Sequence, residues 1–458
     1  MSKLKNLLQT LKIPALIFLV TFVGYMANAK IDFDTGMRKH TYQSLLTSLD
    51  TTANTVLPYA LYTEHTLYFG PKSMRLIKII DPKMPLPHSM VAVGDKNYPA
   101  YPILTGLMAM PIYIIPLMLN KMPSFRYYDN VLKILLLGRI TASFYTAISV
   151  ALFYIILKKI NELRNIKTNW FTYFFLFFYA FGTEAWVISS RTLWQHTSSL
   201  LFITIAILLL VKGQKNPGLI KWTGLVCGLA VVARPTNIVF AAVVAFYVFL
   251  NHRKEIFKFC LMAAGPAILM LTYNWMVFKS PFTNEYGARE DTSFSTPMWV
   301  GLVGYAISPT RSFLFITPPF LLSYFGMYKI IKKAWLRYGY KSKHTADPKT
   351  QMDYLDKILF FMALSYIGTL ILFSNWWCWY GADRFGYGFF TEHIPYIAIF
   401  AYLIAAKFKK VGMIIFSILV VYSLYIQFTA VMFRRSQCSG DHNWSFYCLM
   451  PVKGIIAN

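Results

Sequence analysis

The chain has 458 residues, 56% of them hydrophobic and only 14% charged, with a mean hydropathy of +0.46. Soluble chains carry about a quarter charged residues, so this composition argues against an ordinary cytosolic enzyme; disordered, collagen-like and disulfide-framework classes fall with it. Lys and Arg total 45 against 19 acidic residues, a formal net charge of +26. In a soluble protein that surplus points to nucleic acid. Here it falls in short clusters between apolar runs, the pattern that orients helices in a bilayer, and no nucleic-acid partner is expected.

The first apolar run, 13–27, follows Lys3, Lys5 and Lys12. Ala27-Asn28-Ala29 also has the small-x-small form of a signal-peptide cleavage site. On either reading the chain beyond Ala29 lies outside the cytoplasm. The stretch 30–133 starts polar and aromatic and holds one apolar piece, 103–119, interrupted by Pro111 and Pro116. If that piece spans, every later helix inverts and the strongest basic clusters land outside, so it is read as interfacial or re-entrant.

The remaining spans are expected at 139–157, 170–189, 199–211, 222–233, 237–250, 259–278, 312–328, 358–373, 394–406 and 411–433. Each predicted inner loop then carries basic residues, the richest being 329–357. The expected fold is an all-α polytopic membrane protein of about eleven transmembrane helices. A transmembrane domain, 1–433, includes a large first extracytoplasmic loop, 30–133, with membrane-surface helices; a short extracytoplasmic tail, 434–458, follows. Cys227, Cys260 and Cys378 fall in or beside apolar segments and read as buried thiols, whereas Cys438 and Cys448 sit in the outer tail, where an oxidising compartment suits a disulfide.

Ionisable residues near outer helix ends carry the functional signal, because charge in hydrocarbon costs roughly 2.5–3.5 kcal/mol on insertion scales. That face collects Asp32, Asp34 and Arg38, then Glu184, Arg191 and His196, then Arg234, Arg311, Asp383 and Arg384. Snorkelling to headgroups accounts for any one arginine alone; their convergence suits a phosphorylated ligand held by guanidinium forks. Asp32-Phe33-Asp34 has the spacing of a DxD pair, which can share a divalent cation, Mg or Mn, or supply a general base for an acceptor hydroxyl. No zinc spacing, Gly-rich phosphate loop or nucleophile elbow occurs, and a nucleotide sugar or ATP is an unexpected substrate.

Several segments resemble multispanning glycosyltransferases of the GT-C superfamily, chiefly bacterial members related to protein mannosyltransferases and to the aminoarabinose transferase of lipid A. These are the early acids Asp32 and Asp34 after the first span; Asn97-Tyr98-Pro99-Ala100-Tyr101-Pro102 ahead of an apolar helix; Phe181-Gly182-Thr183-Glu184-Ala185-Trp186 with Leu193-Trp194-Gln195-His196; Gly228-Leu229-Ala230 leading to Arg234-Pro235-Thr236; Ser308-Pro309-Thr310-Arg311; and Trp376-Trp377 through Tyr380-Gly381-Ala382-Asp383-Arg384-Phe385. The resemblance implies an inverting enzyme of the bacterial inner membrane, N-terminus cytoplasmic, that moves a sugar from a polyprenyl-phosphate carrier to an extracytoplasmic glycolipid, glycan or protein. Asp34 is implied as general base, with Asp32 assisting or binding metal. Arg38, Arg234, Arg311, Arg384, His196 and Tyr380 are the candidate substrate and phosphate ligands. One departure is that well-known relatives place Asp-Glu adjacent, whereas this chain has Asp-Phe-Asp. A transporter or flippase for an anionic lipid or sugar phosphate is the main alternative. It needs the arginines but no outer base, and the chain has no duplicated half of the kind transporters show. A membrane scaffold leaves the outer charges unexplained.

Overall fold

The computed structural model describes residues 2–30, 32–33, 42–82, 86–121, 129–283, 293–338, 350–381, 385–432 and 444. It is an all-α membrane protein. Among the described residues six helical stretches are long and apolar enough to cross a bilayer: Asn130–Arg164, Gln195–Gly213, Arg253–Phe278, Tyr354–Ser374, Gly388–Ala405 and Lys410–Met432.

In chain order the helices are α1 (Ser2–Met26), α2 (Thr51–Glu64), α3 (Pro71–Ile80), α4 (Leu104–Met118), α5 (Asn130–Arg164), α6 (Trp170–Phe181), α7 (Gln195–Gly213), α8 (Ile220–Ala233) and α9 (Ile238–Asn251). They continue with α10 (Ile256–Phe278), α11 (Met298–Ile307), α12 (Leu321–Tyr338), α13 (Tyr354–Ser374), α14 (Ile394–Ala405) and α15 (Lys410–Met432). A small antiparallel hairpin, β1 (Met90–Val93) and β2 (Lys96–Pro99), pairs Met90 with Pro99 and Val93 with Lys96. Its tight turn needs the positive φ of Gly94 (60°).

Helix ends follow side-chain chemistry. The carboxylate of Asp129 accepts from Leu132 N at 2.8 Å to start α5, Asn169 caps α6 through Phe171 N, and Asp353 caps α13 through Asp356 N. Left-handed Asn165 and Lys279 end α5 and α10. Tyr42 donates to the same Asp129, which ties the first loop to the head of α5. That bond, with burial and the nearby negative charge, pushes the Tyr42 phenol up to about 12. Because the folded value is raised, the bond's contribution is complete below pH 10 and lost as pH climbs to about 12. The difference in phenolate absorbance between wild type and Tyr42→Phe is expected to show one tyrosine titrating in that window.

Two of the expected spans are broken. The run 170–189 stops at Gly182 and resumes as a π-helical turn, Ala185–Ser189. The run 312–328 is a single helical turn, Phe313–Ile316, then a 3-10 turn over Pro318–Phe320, and only then α12, because consecutive prolines remove amide donors. The apolar piece 103–119 forms α4, whose Tyr113 hydroxyl donates to Ile134 O (3.3 Å) while Tyr145 donates to Met108 O (2.6 Å). It therefore lies along the first half of α5. Helix α11 is a short apolar element that lies outside the expected spans.

Helices α8 and α10 make the closest pair in the bundle. A Cβ on Gly224 would sit 2.1 Å from Phe259 O, and one on Gly228 would sit 2.8 Å from Ala263 O, so this small-xxx-small face lets the two backbones touch. Gly224→Val is expected to destabilise the protein by about 1–3 kcal/mol through overpacking. Thermal unfolding in detergent reads it, with Gly265→Ala as control, since a Cβ there meets nothing within 4 Å.

Large apolar side chains remain exposed along α1 (Leu16, Val20, Val23), α10 (Phe257, Leu269, Met276) and α15 (Val411, Ile418, Val421), the belt that lipid covers. Cys227 and Cys378 are buried, but Cys260 is exposed on the outer face of α10, which corrects its reading as a buried thiol.

The direction of each helix follows from its ends. Tyr25, Arg139, Arg191 and Val431 are linked by hydrogen bonds at one end. Arg164, Lys333, Asp353 and Asp356 are linked at the other. The 25 residues of α5 from Arg139 to Arg164 separate these two clusters by about 37 Å.

Candidate functional site

The site is organised on the buried segment 182–198, which joins α6 to α7. Aromatic residues drive α6 into the core, Gly182 ends it, and the π-helical turn re-aims the backbone. Within this segment Glu184 reaches the 386–391 stretch, Arg191 reaches Asp32 beyond α1, Thr192 bonds Thr47 of the first loop, His196 reaches α14's entry, and Ser198 bonds Thr105 at the head of α4. Residues remote in sequence are thus brought to one end of the bundle, as the outer-face pattern predicts.

The first cluster surrounds Asp32. Arg191 Nη2 donates to Asp32 Oδ2 at 2.7 Å, Asn28 Nδ2 donates to the same oxygen at 3.1 Å, and Arg139 Nη1 lies 3.7 Å away. Arg139 Nη2 is held by Tyr25 O and Asn28 Oδ1, both at 2.8 Å, and Arg191 Nη1 by Val431 O at 2.7 Å. The Nε donors of both arginines are buried and, among the described residues, have no acceptor. Among the described residues this point brings two guanidiniums to one carboxylate.

The second cluster centres on Glu392. Arg234 Nη1 donates to Glu392 Oε1, and His196 Nδ1 lies 2.7 Å from Glu392 Oε2. The Arg234 guanidinium also stacks over Phe373 (5.0 Å) and Phe389 (5.5 Å), and all three polar partners are buried. A third pair lies beside it. Glu184 Oε2 accepts from Thr391 Oγ1 at 2.8 Å and has the buried Arg311 as an electrostatic partner. Arg311 also donates to Thr310 O and Gly386 O. Gly386 has φ 65°, and a Cβ on it would stand 1.9 Å from Glu184 Oε1, so only glycine fits.

These contacts give three of the expected site residues a glutamate partner. Arg234 and Arg311 are candidate phosphate ligands by position, but each has a buried glutamate to balance it. His196 likewise faces Glu392. Among the described residues Arg139 and Arg191 share the single carboxylate of Asp32; the sequence marks them only as the start of a span and as an unassigned outer charge. Their signal was present, since an arginine opening an apolar run needs a partner. Glu392 was missed because it sits in an unremarkable Thr-Glu-His stretch. Tyr380 is half-buried beside Trp379. Asp34, Arg38, Arg384, Cys438 and Cys448 lie outside the described residues.

A cation on the DxD pair fits poorly at Asp32, whose carboxylate already faces two guanidiniums, and among the described residues no group of three His, Cys, Asp or Glu side chains is placed to hold a metal. Beside these clusters an apolar cleft of about 290 Å³ runs between the head of α4 (Leu104, Leu107), the end of α8 (Leu229, Val232) and α10 (Leu269, Met270). Its upper edge is Pro235, next to Arg234, and Leu269 exposes it to lipid.

No protein-family model, curated protein or solved structure matches this chain. What the site can do rests on its own geometry. A carboxylate beside buried guanidinium donors, next to a lipid-facing cleft, suits an amphiphile with an anionic head.

Proposed function

We propose that the protein is an inverting glycosyltransferase that moves a sugar from a polyprenyl-phosphate carrier to an extracytoplasmic acceptor. The observation that supports this reading is the Asp32–Arg191–Arg139 cluster just beyond α1, where, among the described residues, two guanidiniums meet one carboxylate and both Nε donors lack an acceptor. On this reading the arginines bind the carrier phosphate and stabilise the charge it gains as the sugar leaves. The isoprenoid chain occupies the apolar cleft between α4, α8 and α10. Asp34, two residues beyond Asp32, takes the proton of the acceptor hydroxyl. The family likeness to GT-C enzymes belongs to the same proposal. So does the orientation: eleven spans in a bacterial plasma membrane, N-terminus cytoplasmic, site outside.

The test uses purified protein in nanodiscs, a panel of radiolabelled polyprenyl-phosphate sugars and a membrane extract as acceptor. Label is expected to leave the carrier fraction and appear on an acceptor. If every carrier stays intact while the protein moves lipid phosphate across liposomes, the chain is a transporter and the proposal fails.

A further inference from the structure

At the end of the bundle opposite the candidate site, a cavity of about 340 Å³ opens between the ends of α5, α12, α13 and α14. Its walls are apolar: Ile166, Ile330, Leu359, Phe400, Leu403 and Ile404. Its rim is charged by Arg164, Lys329, Lys333, Lys407 and Asp356. Gly326 lets α12 close against Phe400, where a Cβ would stand 3.1 Å from the ring-bearing carbon.

The charges divide into a spent and an unspent set. Asp356 is buried and takes both Arg164 and Lys333, the latter at 2.5 Å; Arg164 also holds Asp353 at 2.5 Å. Two cations and two carboxylates cancel. Lys329 and Lys407 are exposed at the rim, and among the described residues neither meets a carboxylate; Lys329 Nζ lies 4.2 Å over the Phe325 ring. Orientation in a membrane asks for lysines in the loops, but it asks neither for a buried aspartate bridging three helices nor for an apolar cavity behind them.

We infer that this cavity is a binding site for an anionic glycerophospholipid, its headgroup phosphate on Lys329 and Lys407 and an acyl chain against Ile330, Leu359, Phe400 and Leu403. Basic pockets between membrane helices near the water interface recognise such headgroups, and apolar walls distinguish a lipid from a free phosphate. The Asp356 bridge sets the helix ends at the spacing that keeps the cavity open. Bound lipid joins α12 to α14, and Glu392 of the candidate site lies just ahead of α14. The site is independent of whichever chemistry the far end performs.

The experiment measures phosphatidylglycerol retained through detergent exchange by mass spectrometry of the intact protein, and the melting shift on adding it back. Lys329→Ala with Lys407→Ala is expected to weaken retention about thirtyfold, the effect of two basic groups at an anionic surface. It should also abolish the melting shift while leaving the lipid-free melting temperature unchanged. Lys329→Arg with Lys407→Arg is expected to keep both. Equal retention by the alanine variant, or equal stabilisation by phosphatidylcholine, overturns the site. An equal melting shift from inorganic phosphate alone overturns the lipid assignment.

Discussion

Asp34→Asn is expected to lower sugar release from the carrier by about 10²–10⁴-fold, the range a positioned general base supplies, while the protein purifies and melts like wild type. The choice of Asp34 over Asp32 follows from the contacts of Asp32. Its Oδ2 accepts from Arg191 and Asn28 and has Arg139 nearby, so that oxygen is already committed to donors of the protein. Asp34 is the neighbouring carboxylate in the sequence, two residues further along the chain. Asp32→Asn is expected to behave differently. It leaves two buried arginines without their counter-ion, so it lowers both stability and carrier affinity. Arg191→Lys keeps the charge but loses the fork, and is expected to raise KM for the carrier more than it lowers kcat. If Asp34→Asn retains full activity and a stably folded Asp32→Asn has none, the base is Asp32.

The second large effect concerns Glu392. Glu392→Ala leaves the Arg234 guanidinium buried among Phe373 and Phe389 with no carboxylate, and removing one partner of a buried ion pair costs about 3–5 kcal/mol. Total stability is commonly about 5–15 kcal/mol, so the variant is expected to unfold many degrees below wild type or to be lost on purification. Removing both charges, Glu392→Leu with Arg234→Leu, is expected to recover much of the loss, because an apolar pair of similar bulk needs no desolvation. Thermal unfolding in detergent reads both. A single variant that melts like wild type would show that Arg234 is not committed to Glu392 and is available to a ligand.

Much of the membrane architecture is legible in the residues. Apolar runs separated by lysine clusters mark where α5, α7, α10, α13 and α15 lie, to within a turn or so for most ends, because hydropathy and chain length are local properties. The breaks are less legible. Gly182 and Pro318-Pro319 interrupt runs that hydropathy reads as continuous, since an average over a window cannot register one residue's backbone. The functional face is half legible. Asp32, Arg191, His196, Arg234 and Arg311 all project from the same end of the bundle, as topology requires. Which of them spend their charge on one another is a different matter.

Composition and hydropathy determined by themselves that this is a helical membrane protein and that its unusual charges gather at helix ends. Burial of apolar surface and exclusion of charge from hydrocarbon act on each segment regardless of the others. Only the tertiary structure decided that Arg234 belongs to Glu392 across 158 residues, that Arg139 and Arg191 share Asp32, and that Gly224 and Gly228 hold α8 against α10. Ion pairing depends on distances of a few ångströms between side chains far apart in the chain, and charge that one partner neutralises is no longer available to a ligand. No count of arginines along a sequence contains that subtraction.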